Sequence, residues 1–151
     1  MSKIIKNIFL PLALILMLGS CNEDPEYYTL DVPADQMKIT ASAEKVILNK
    51  VDESKEAITF TWNKATDRGS NIQLVYYFRL YHAEMSDLQS ELIRLDDNAN
   101  SITWTVRQLN NVLHSWSISP DEEVPIVAEV LAVPENSPQY MKPEISKIDF
   151  T

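Results

Sequence analysis

The side chains that could carry acid–base chemistry are few and scattered. The two histidines, His82 and His114, lie far apart in the sequence, and adjacent acidic residues occur at 52–53, 96–97 and 121–123, all in predicted loops. Paired carboxylates hydrolyse glycosides only when a cleft holds them several ångströms apart across the scissile bond. Neighbours in a solvated turn do not meet this condition, and no histidine pair has metal-ligand spacing. The sequence therefore predicts no catalytic residue, no metal site and no cofactor.

The segment Asp96-x-Asn98-x-Asn100 copies the start of a calcium-binding loop. An EF-hand loop needs glycine at its sixth position for a sharp turn and a bidentate glutamate at its twelfth. This chain has Ser101 and Arg107 at those positions. An EF-hand is therefore excluded. A solvated loop is the expected structure, with an improvised calcium site as the alternative.

Aromatic side chains are the remaining candidates for ligand contact. Tyr77 and Tyr81 share one face of a predicted strand with Arg79, and Tyr140 lies in a proline-rich loop. Exposed rings supply large contact area at low entropic cost, which suits the C–H face of a sugar. Tyr77, Tyr81 and Tyr140 are therefore the predicted glycan-binding residues. The alternative is that they cover the second sheet of the fold.

Cys21 is the only cysteine, and it follows a segment with the features of an export signal. Lys3 and Lys6 precede an apolar run over residues 8–18, and small residues lie between that run and Cys21. This pattern is typical of a secretory signal. The run has 11 residues, whereas a membrane-spanning helix needs about 18 or more.

The residues Leu18-Gly19-Ser20-Cys21 resemble the lipobox of bacterial lipoproteins. The resemblance implies that Cys21 becomes the first residue of the mature chain. It would then carry a thioether-linked diacylglycerol and an amide-linked acyl chain, which attach the protein to a membrane. An ordinary cleaved signal is the alternative.

Composition excludes several classes of partner. The chain has 22 acidic and 13 basic side chains, a net charge of −9, and loss of Lys3 and Lys6 with the signal lowers this to −11. Such an excess repels nucleic acid and anionic lipid, so membrane attachment has to come from acyl chains, at about 0.8 kcal/mol per buried methylene. The only glycines are Gly19 and Gly69, which excludes phosphate-binding loops and dinucleotide fingerprints.

Alternation of apolar and polar residues dominates the chain from residue 37 onward. The clearest strand is predicted at 57–63, where Ile58, Phe60 and Trp62 share one face. Further strands are predicted at 37–41, 72–81, 91–95, 101–106, 124–133 and 144–151. Val46-Ile47-Leu48 forms an apolar stretch after the first strand, and residues 67–70 form a turn.

One segment has helical periodicity. Its apolar residues lie at i, i+3, i+4 and i+7 and are Leu109, Val112, Leu113 and Trp116. Thr105 and Gln108 fit a capping box at its start. About seven strands and one short helix predict an all-β sandwich of immunoglobulin or fibronectin type III kind, preceded by the lipoprotein signal. Trp62 is the expected central ring of its core.

Five short segments, read in order behind the lipobox, carry a family resemblance. They are ITAS at 39–42, VIL at 46–48, ITFTWNKA at 58–65, YFRL at 77–80, and ITWTV leading into LNNVL at 102–113. They resemble the N-terminal domain of SusE-type outer-membrane lipoproteins over residues 37–151. The predicted organisation is a signal peptide at 1–20, lipidated Cys21 with a flexible acidic tether to residue 36, and a sandwich domain at 37–151.

This resemblance implies a place in the glycan-utilisation systems of Bacteroidetes. The acidic residues after Cys21 look like the surface-export signal of lipoproteins in that phylum, which implies the outer face of the outer membrane. Implied partners are a TonB-dependent transporter, other glycan-binding lipoproteins and the polysaccharide itself. Typical members continue into further domains that bind glycan, whereas this chain stops at Thr151. The expected function is therefore a non-catalytic accessory or scaffold module, and direct glycan binding is the alternative.

Overall fold

The computed structural model describes residues 36–67, 73–135 and 143–151, which form two β-sheets and one helix. Within these ranges the one α-helix, α1, spans Val106–Ser115 and a 3-10 turn spans Lys50–Asp52. The strands are β1 Ile39–Ala41, β2 Glu56–Trp62, β3 Leu74–His82, β4 Ile93–Arg94, β5 Ser101–Thr105, β6 Ile126–Pro134 and β7 Glu144–Phe150.

The two sheets have the order of a fibronectin type III-like sandwich. One sheet contains β1-β2-β5 and the other β4-β3-β6-β7, and every strand pair is antiparallel. The fourth strand pairs with β3 and so belongs to the second sheet. Because residues from both sheets and α1 share one apolar core, the predicted all-β sandwich with one short helix is confirmed.

Alternation along β2 separates the core from the surface. Ile58, Phe60 and Trp62 are buried, as predicted. Thr59 and Thr61 point outward, and Thr59 exchanges a hydroxyl hydrogen bond of 2.9 Å with Thr103 on β5. The outer side of the three-stranded sheet is therefore lined by hydroxyl side chains.

Aromatic rings fill the space between the sheets. Phe78 packs against Phe60 at 5.2 Å, Trp104 at 6.1 Å and Trp62 at 6.4 Å between ring centroids. Tilted and offset arrangements at such distances are favourable between aromatic rings. Trp62 has the expected structural role, but Phe78 lies at the centre of the ring cluster.

Both ends of α1 have complete caps. The Thr105 hydroxyl accepts from the Gln108 N–H at 3.3 Å, and the Gln108 side chain accepts from the Thr105 N–H at 2.8 Å. This confirms the predicted capping box. At the other end the N–H of Ile118 donates to the carbonyl of Leu113 at 3.1 Å, the long bond of a Schellman motif. The residue that makes the left-handed turn there is Ser117, with φ of 63°.

The apolar stretch Val46-Ile47-Leu48 forms no strand. The Val46 N–H bonds the carbonyl of Thr151 at 2.6 Å, and Ile47 is 84% exposed. Asn49 then caps the 3-10 turn, since its side chain accepts from the N–H of Val51 at 3.1 Å. The polar cap ends the extended backbone before it can pair further.

The strand bounds differ from the predicted ones by one or two residues. β6 begins at Ile126, two residues later than expected, because Pro125 has no N–H for a ladder bond. β4 contains two residues, although 91–95 were predicted. Edge strands of this length expose little unpaired backbone.

Several predictions concern other parts of the chain. The signal peptide, Cys21, the tether up to residue 35, the turn residues 68–70 and Tyr140 lie outside the described residues. They remain predictions. Among the residues that the structure describes, no helix is long and apolar enough to cross a membrane.

Candidate functional site

The predicted glycan residues of β3 lie on the outer side of the four-stranded sheet. Tyr76, Phe78 and Leu80 enter the core, so Tyr77 and Tyr81 point the other way with Arg79 between them. We call these outward side chains, with their neighbours on β6 and β7, the tyrosine face. Cross-strand register sets them in rows, which are Tyr77 with Leu131 and Ile145, Arg79 with Glu129 and Lys147, and Tyr81 with Val127 and Asp149.

A buried carboxylate lies in the middle row of the tyrosine face. Glu129 is 1% exposed. Its Oε1 accepts from Arg79 Nε at 2.6 Å, and its Oε2 lies 2.9 Å from Lys147 Nζ. A buried charge is tolerated only when partners replace the water it has lost. The two cations supply that replacement, one from each neighbouring strand.

The same two cations contact the ring of Tyr81. The guanidinium carbon of Arg79 is 5.7 Å from the ring centroid and Lys147 Nζ is 5.3 Å from it. Cations at these distances are attracted to the negative face of an aromatic ring. Hydrogen bonding to Tyr81 and then to Glu129 raises the pKa of Lys147, because both favour the charged ammonium. Tyr81 is therefore part of an ion cluster.

Gln89 extends this cluster toward the edge of the sheet. Its side-chain oxygen accepts from Arg79 Nη1 at 2.9 Å, and the residue forms a β-bridge with Tyr81. Arg79 therefore has partners on both sides. The arrangement fixes the orientation of the guanidinium, which leaves the row of Tyr77 as the more apolar part of the tyrosine face.

Sequence reasoning missed Glu129 and Lys147. Glu129 is the single charge inside the apolar strand IVAEVLAVP, and that was a usable signal. A lone carboxylate in a two-sided buried strand requires a cation on an adjacent strand. Arg79 is directly opposite in the antiparallel pairing of β3 with β6.

The histidines have separate and local surroundings. His82 is buried, and its Nδ1 accepts from the N–H groups of Glu84 at 3.1 Å and Met85 at 3.2 Å. This ring therefore holds the turn after β3. His114 is an exposed residue of α1. Among the described residues no group of three or more histidine, cysteine or acidic side chains could hold a metal ion.

The Asp96–Asn100 segment contributes its backbone to the core. The carbonyl of Ala99 accepts from Trp62 Nε1 at 3.2 Å, and that of Asn100 accepts from the Trp62 N–H at 2.9 Å. Asn98 takes a left-handed conformation with φ of 66°, which asparagine tolerates better than most residues. The loop thus positions a core tryptophan.

A groove of about 830 Å³ lies between α1 and the connections on either side of it. Two ion pairs lie along its rim, Lys45 with Glu123 at 2.9 Å and Arg107 with Glu53 at 2.7 Å. Its base is apolar and includes Leu48, Leu109, Leu113, Val124, Ile126 and Phe150. Phe150 is buried, so its ring is not available for stacking on a sugar.

Comparison with protein families gives a match over most of the chain. The model of the family described as SusE outer membrane protein matches residues 23–131, which are 109 of the 151 residues. The match extends from the acidic segment after Cys21 to the middle of β6. Comparison with curated proteins and with solved structures gives no match. The chain therefore belongs to the SusE outer membrane protein family, and it is a protein of the outer membrane.

Proposed function

We propose that this chain is a lipid-anchored, non-catalytic accessory module of a glycan-uptake system, facing the cell surface. Acyl chains on Cys21 hold it in the outer membrane. Its sandwich contacts a TonB-dependent transporter and neighbouring glycan-binding lipoproteins. The observation that carries the proposal is the match to the SusE family over residues 23–131.

The use of the ionisable side chains supports a structural role. Glu129 forms ion pairs with Arg79 and Lys147 across three strands. His82 accepts two backbone N–H groups. These groups are occupied in packing the fold, and an acid–base catalyst needs a proton-transferring atom within reach of a substrate.

Exposed apolar side chains supply a surface for contact with neighbours. Ile47 is 84% exposed and Val51 is 89% exposed, both on the β1–β2 connection beside the groove. Contiguous exposed apolar surface on a folded domain is typical of protein interaction sites, and we propose this connection as the place of partner contact. Partner contact through this connection agrees with an accessory role.

Co-purification from outer membranes tests the proposal. The tagged full-length chain should take up radioactive palmitate and bring down transporter subunits without added polysaccharide. Cys21→Ala should lose the label and the membrane fraction, whereas Ser20→Ala, with a small residue kept beside the cysteine, should retain both. A wild-type chain that incorporates no palmitate, or that purifies without any transporter subunit, would contradict the proposal.

Direct glycan binding is the second candidate, and the arrangement of the tyrosine face favours it. Tyr77 and Tyr81 point outward from one strand, and the third predicted residue, Tyr140, lies outside the described residues. Because two cations already contact the Tyr81 ring, we expect Tyr77 to contribute most of the stacking.

A glycan array tests this second candidate. The wild-type chain should bind a subset of polysaccharides, and Tyr77→Ala should weaken binding more than Tyr81→Ala. Thr103→Ala lies on the opposite sheet and should leave binding unchanged. No wild-type signal, or equal loss in the Thr103 variant, would remove the candidate.

A further inference from the structure

The outer edge of β7 presents a row of backbone hydrogen-bonding groups. β7 is the last strand of the four-stranded sheet. Beyond its end, the N–H of Thr151 donates to the carbonyl of Glu44 at 2.9 Å, and the carbonyl of Thr151 accepts from Val46. These bonds point away from β6. In an antiparallel strand the backbone groups of alternate residues point to the same side. The N–H and C=O groups of Ile145, Lys147 and Asp149 therefore also point away from β6.

Hydrogen bonds at the β4 edge of the same sheet lead to the same assignment of inward and outward residues. The carbonyls of Tyr76 and Leu80 accept from Leu95 at 2.9 Å and Ser90 at 2.8 Å, on the β4 side of β3. Odd-numbered residues of β3 consequently bond β6. Even-numbered residues of β6 then bond the even-numbered residues of β7, according to the paired registers. The odd-numbered residues of β7 are left for the outer edge.

Neighbouring segments bound this edge without covering it. At the start of β7, the N–H of Met37 donates to the carboxylate of Glu144, and the N–H of Ile39 donates to the hydroxyl of Ser146 at 2.9 Å. These are bonds to side chains, so the backbone of β7 is not used by β1. At the other end the segment 44–46 pairs with Thr151. Between these limits, none of the residues that the structure describes bonds the outward backbone groups of residues 145–149.

Three exposed side chains of different chemistry follow one another along the outer face of β7. Ile145 is 50% exposed, the Lys147 side chain is 51% exposed, and Asp149 is exposed. The ammonium of Lys147 has three donors, so its bonds with Glu129 and Tyr81 leave one donor for a second carboxylate. The edge therefore offers an apolar, a basic and an acidic position in that order.

We propose that this edge receives an extended segment of a partner protein, which adds a strand antiparallel to β7. Main-chain bonds to residues 145, 147 and 149 give affinity, and alternate side chains give selectivity. The segment carries a basic residue opposite Asp149, an acidic residue opposite Lys147 and an apolar residue opposite Ile145. This interaction is separate from the lipid anchor. Its side-chain positions, Ile145, Lys147 and Asp149, form the β7 border of the tyrosine face, whereas the proposed sugar contact is Tyr77 on β3.

A second copy of this chain fits the edge poorly. Its own β7 has the required basic and acidic order at Lys147 and Asp149. Antiparallel pairing in that register would set Ile145 of one copy opposite Thr151 of the other. Residues 44–46 already bond Thr151 on that side. A short segment of another protein avoids this overlap.

Two synthetic peptides test the proposal on the full-length chain in detergent. The matched peptide contains Arg-Thr-Glu-Thr-Val and the control contains Glu-Thr-Arg-Thr-Val, both with blocked ends. The matched peptide should bind about tenfold more tightly, because both charged pairs are reversed in the control. Amide hydrogens of Ile145, Lys147 and Asp149 should exchange quickly in the free chain and slow on binding.

A proline substitution distinguishes loss of the edge hydrogen bond from loss of the fold. Asp149→Pro removes an outward N–H and no ladder bond, a position that edge strands tolerate, so the chain should fold and lose the peptide. Asp149→Asn keeps the N–H and should retain most of the binding. The proposal would be overturned if the folded proline variant still binds the peptide, or if both peptides bind with equal affinity. It would also be overturned if the edge amides still exchange rapidly in the complex, or if dimerisation of the chain is what protects them.

Discussion

Removal of one cation from the buried carboxylate should destabilise the domain strongly. Arg79→Met leaves Glu129, whose side chain is 2% exposed, with Lys147 alone. Loss of one partner from a buried ion pair costs about 3–5 kcal/mol. Since Lys147 remains and the Arg79 side chain is 34% exposed, we expect a loss of about 2–3 kcal/mol in the free energy of unfolding.

Removal of the carboxylate as well should restore most of that loss. The double variant Arg79→Met, Glu129→Met replaces the pair by apolar groups of similar length. Such replacements are often neutral, so we expect a free energy of unfolding within about 1 kcal/mol of wild type. Measured together with Glu129→Met alone, the two substitutions should be coupled by about 2 kcal/mol, as contacting residues of one network can be.

Urea unfolding at pH 7, followed by tryptophan fluorescence, measures these differences. All three tryptophans are buried, so their emission reports loss of the core. Arg94→Met is the matched control, because its ion pair with Glu135 has side chains 55% and 32% exposed and should be worth less than about 1 kcal/mol. If Arg79→Met costs no more than Arg94→Met, or if the double variant shows the sum of its single effects, the reasoning about Glu129 is wrong.

Three further predictions concern single hydrogen bonds and caps. Tyr76→Phe should cost about 1–2 kcal/mol at pH 7, because the buried N–H of Ala65 loses its acceptor at 3.0 Å. Burial raises the pKa of Tyr76 above its ordinary 10.0, so the stability that its neutral hydroxyl provides is complete below pH 10 and decreases as pH rises further. Urea titrations at pH 7 and pH 11 should therefore show a smaller difference between wild type and Tyr76→Phe at the higher pH, and a constant difference would contradict this. Ser117→Gly should stabilise by about 0.5–1 kcal/mol by relieving a left-handed serine, whereas Ser115→Gly inside the helix should destabilise; thermal melts that rank them in the reverse order would refute the cap assignment. Thr105→Ala should cost about 1 kcal/mol in urea unfolding, and Thr105→Ser, which keeps the accepting oxygen, should recover most of it.

Local patterns were sufficient to predict the elements of this fold. Burial alternates along β2 because Ile58, Phe60 and Trp62 occur at every second position, and a strand has a side-chain period of two. The capping box at Thr105 likewise depends on residues three apart. Such signals are encoded within a few residues, so they can be recognised without knowledge of the tertiary structure.

Features that depend on neighbouring strands were harder to predict. The burial of Glu129 depends on Arg79 and Lys147, which are brought together only by strand register. The conformation of Val46-Ile47-Leu48 depends on which backbone lies beside it, since a strand forms only beside a partner and, of these three residues, Val46 alone bonds Thr151. The tyrosine pair was placed on the correct face, but the ions that contact Tyr81 come from β3 and β7 together.

Attachment of β1 has a mechanical consequence. Any tension applied to the residues before 36 reaches the domain at Met37, ahead of a strand of three residues that pairs only with β2. The bonds from Met37 and Ile39 to side chains of β7 tie this short strand to the other sheet as well. The load is therefore divided between both sheets where the chain enters the sandwich. Without these two hydrogen bonds, β1 would be held by its pairing with β2 and would detach one residue at a time under low force.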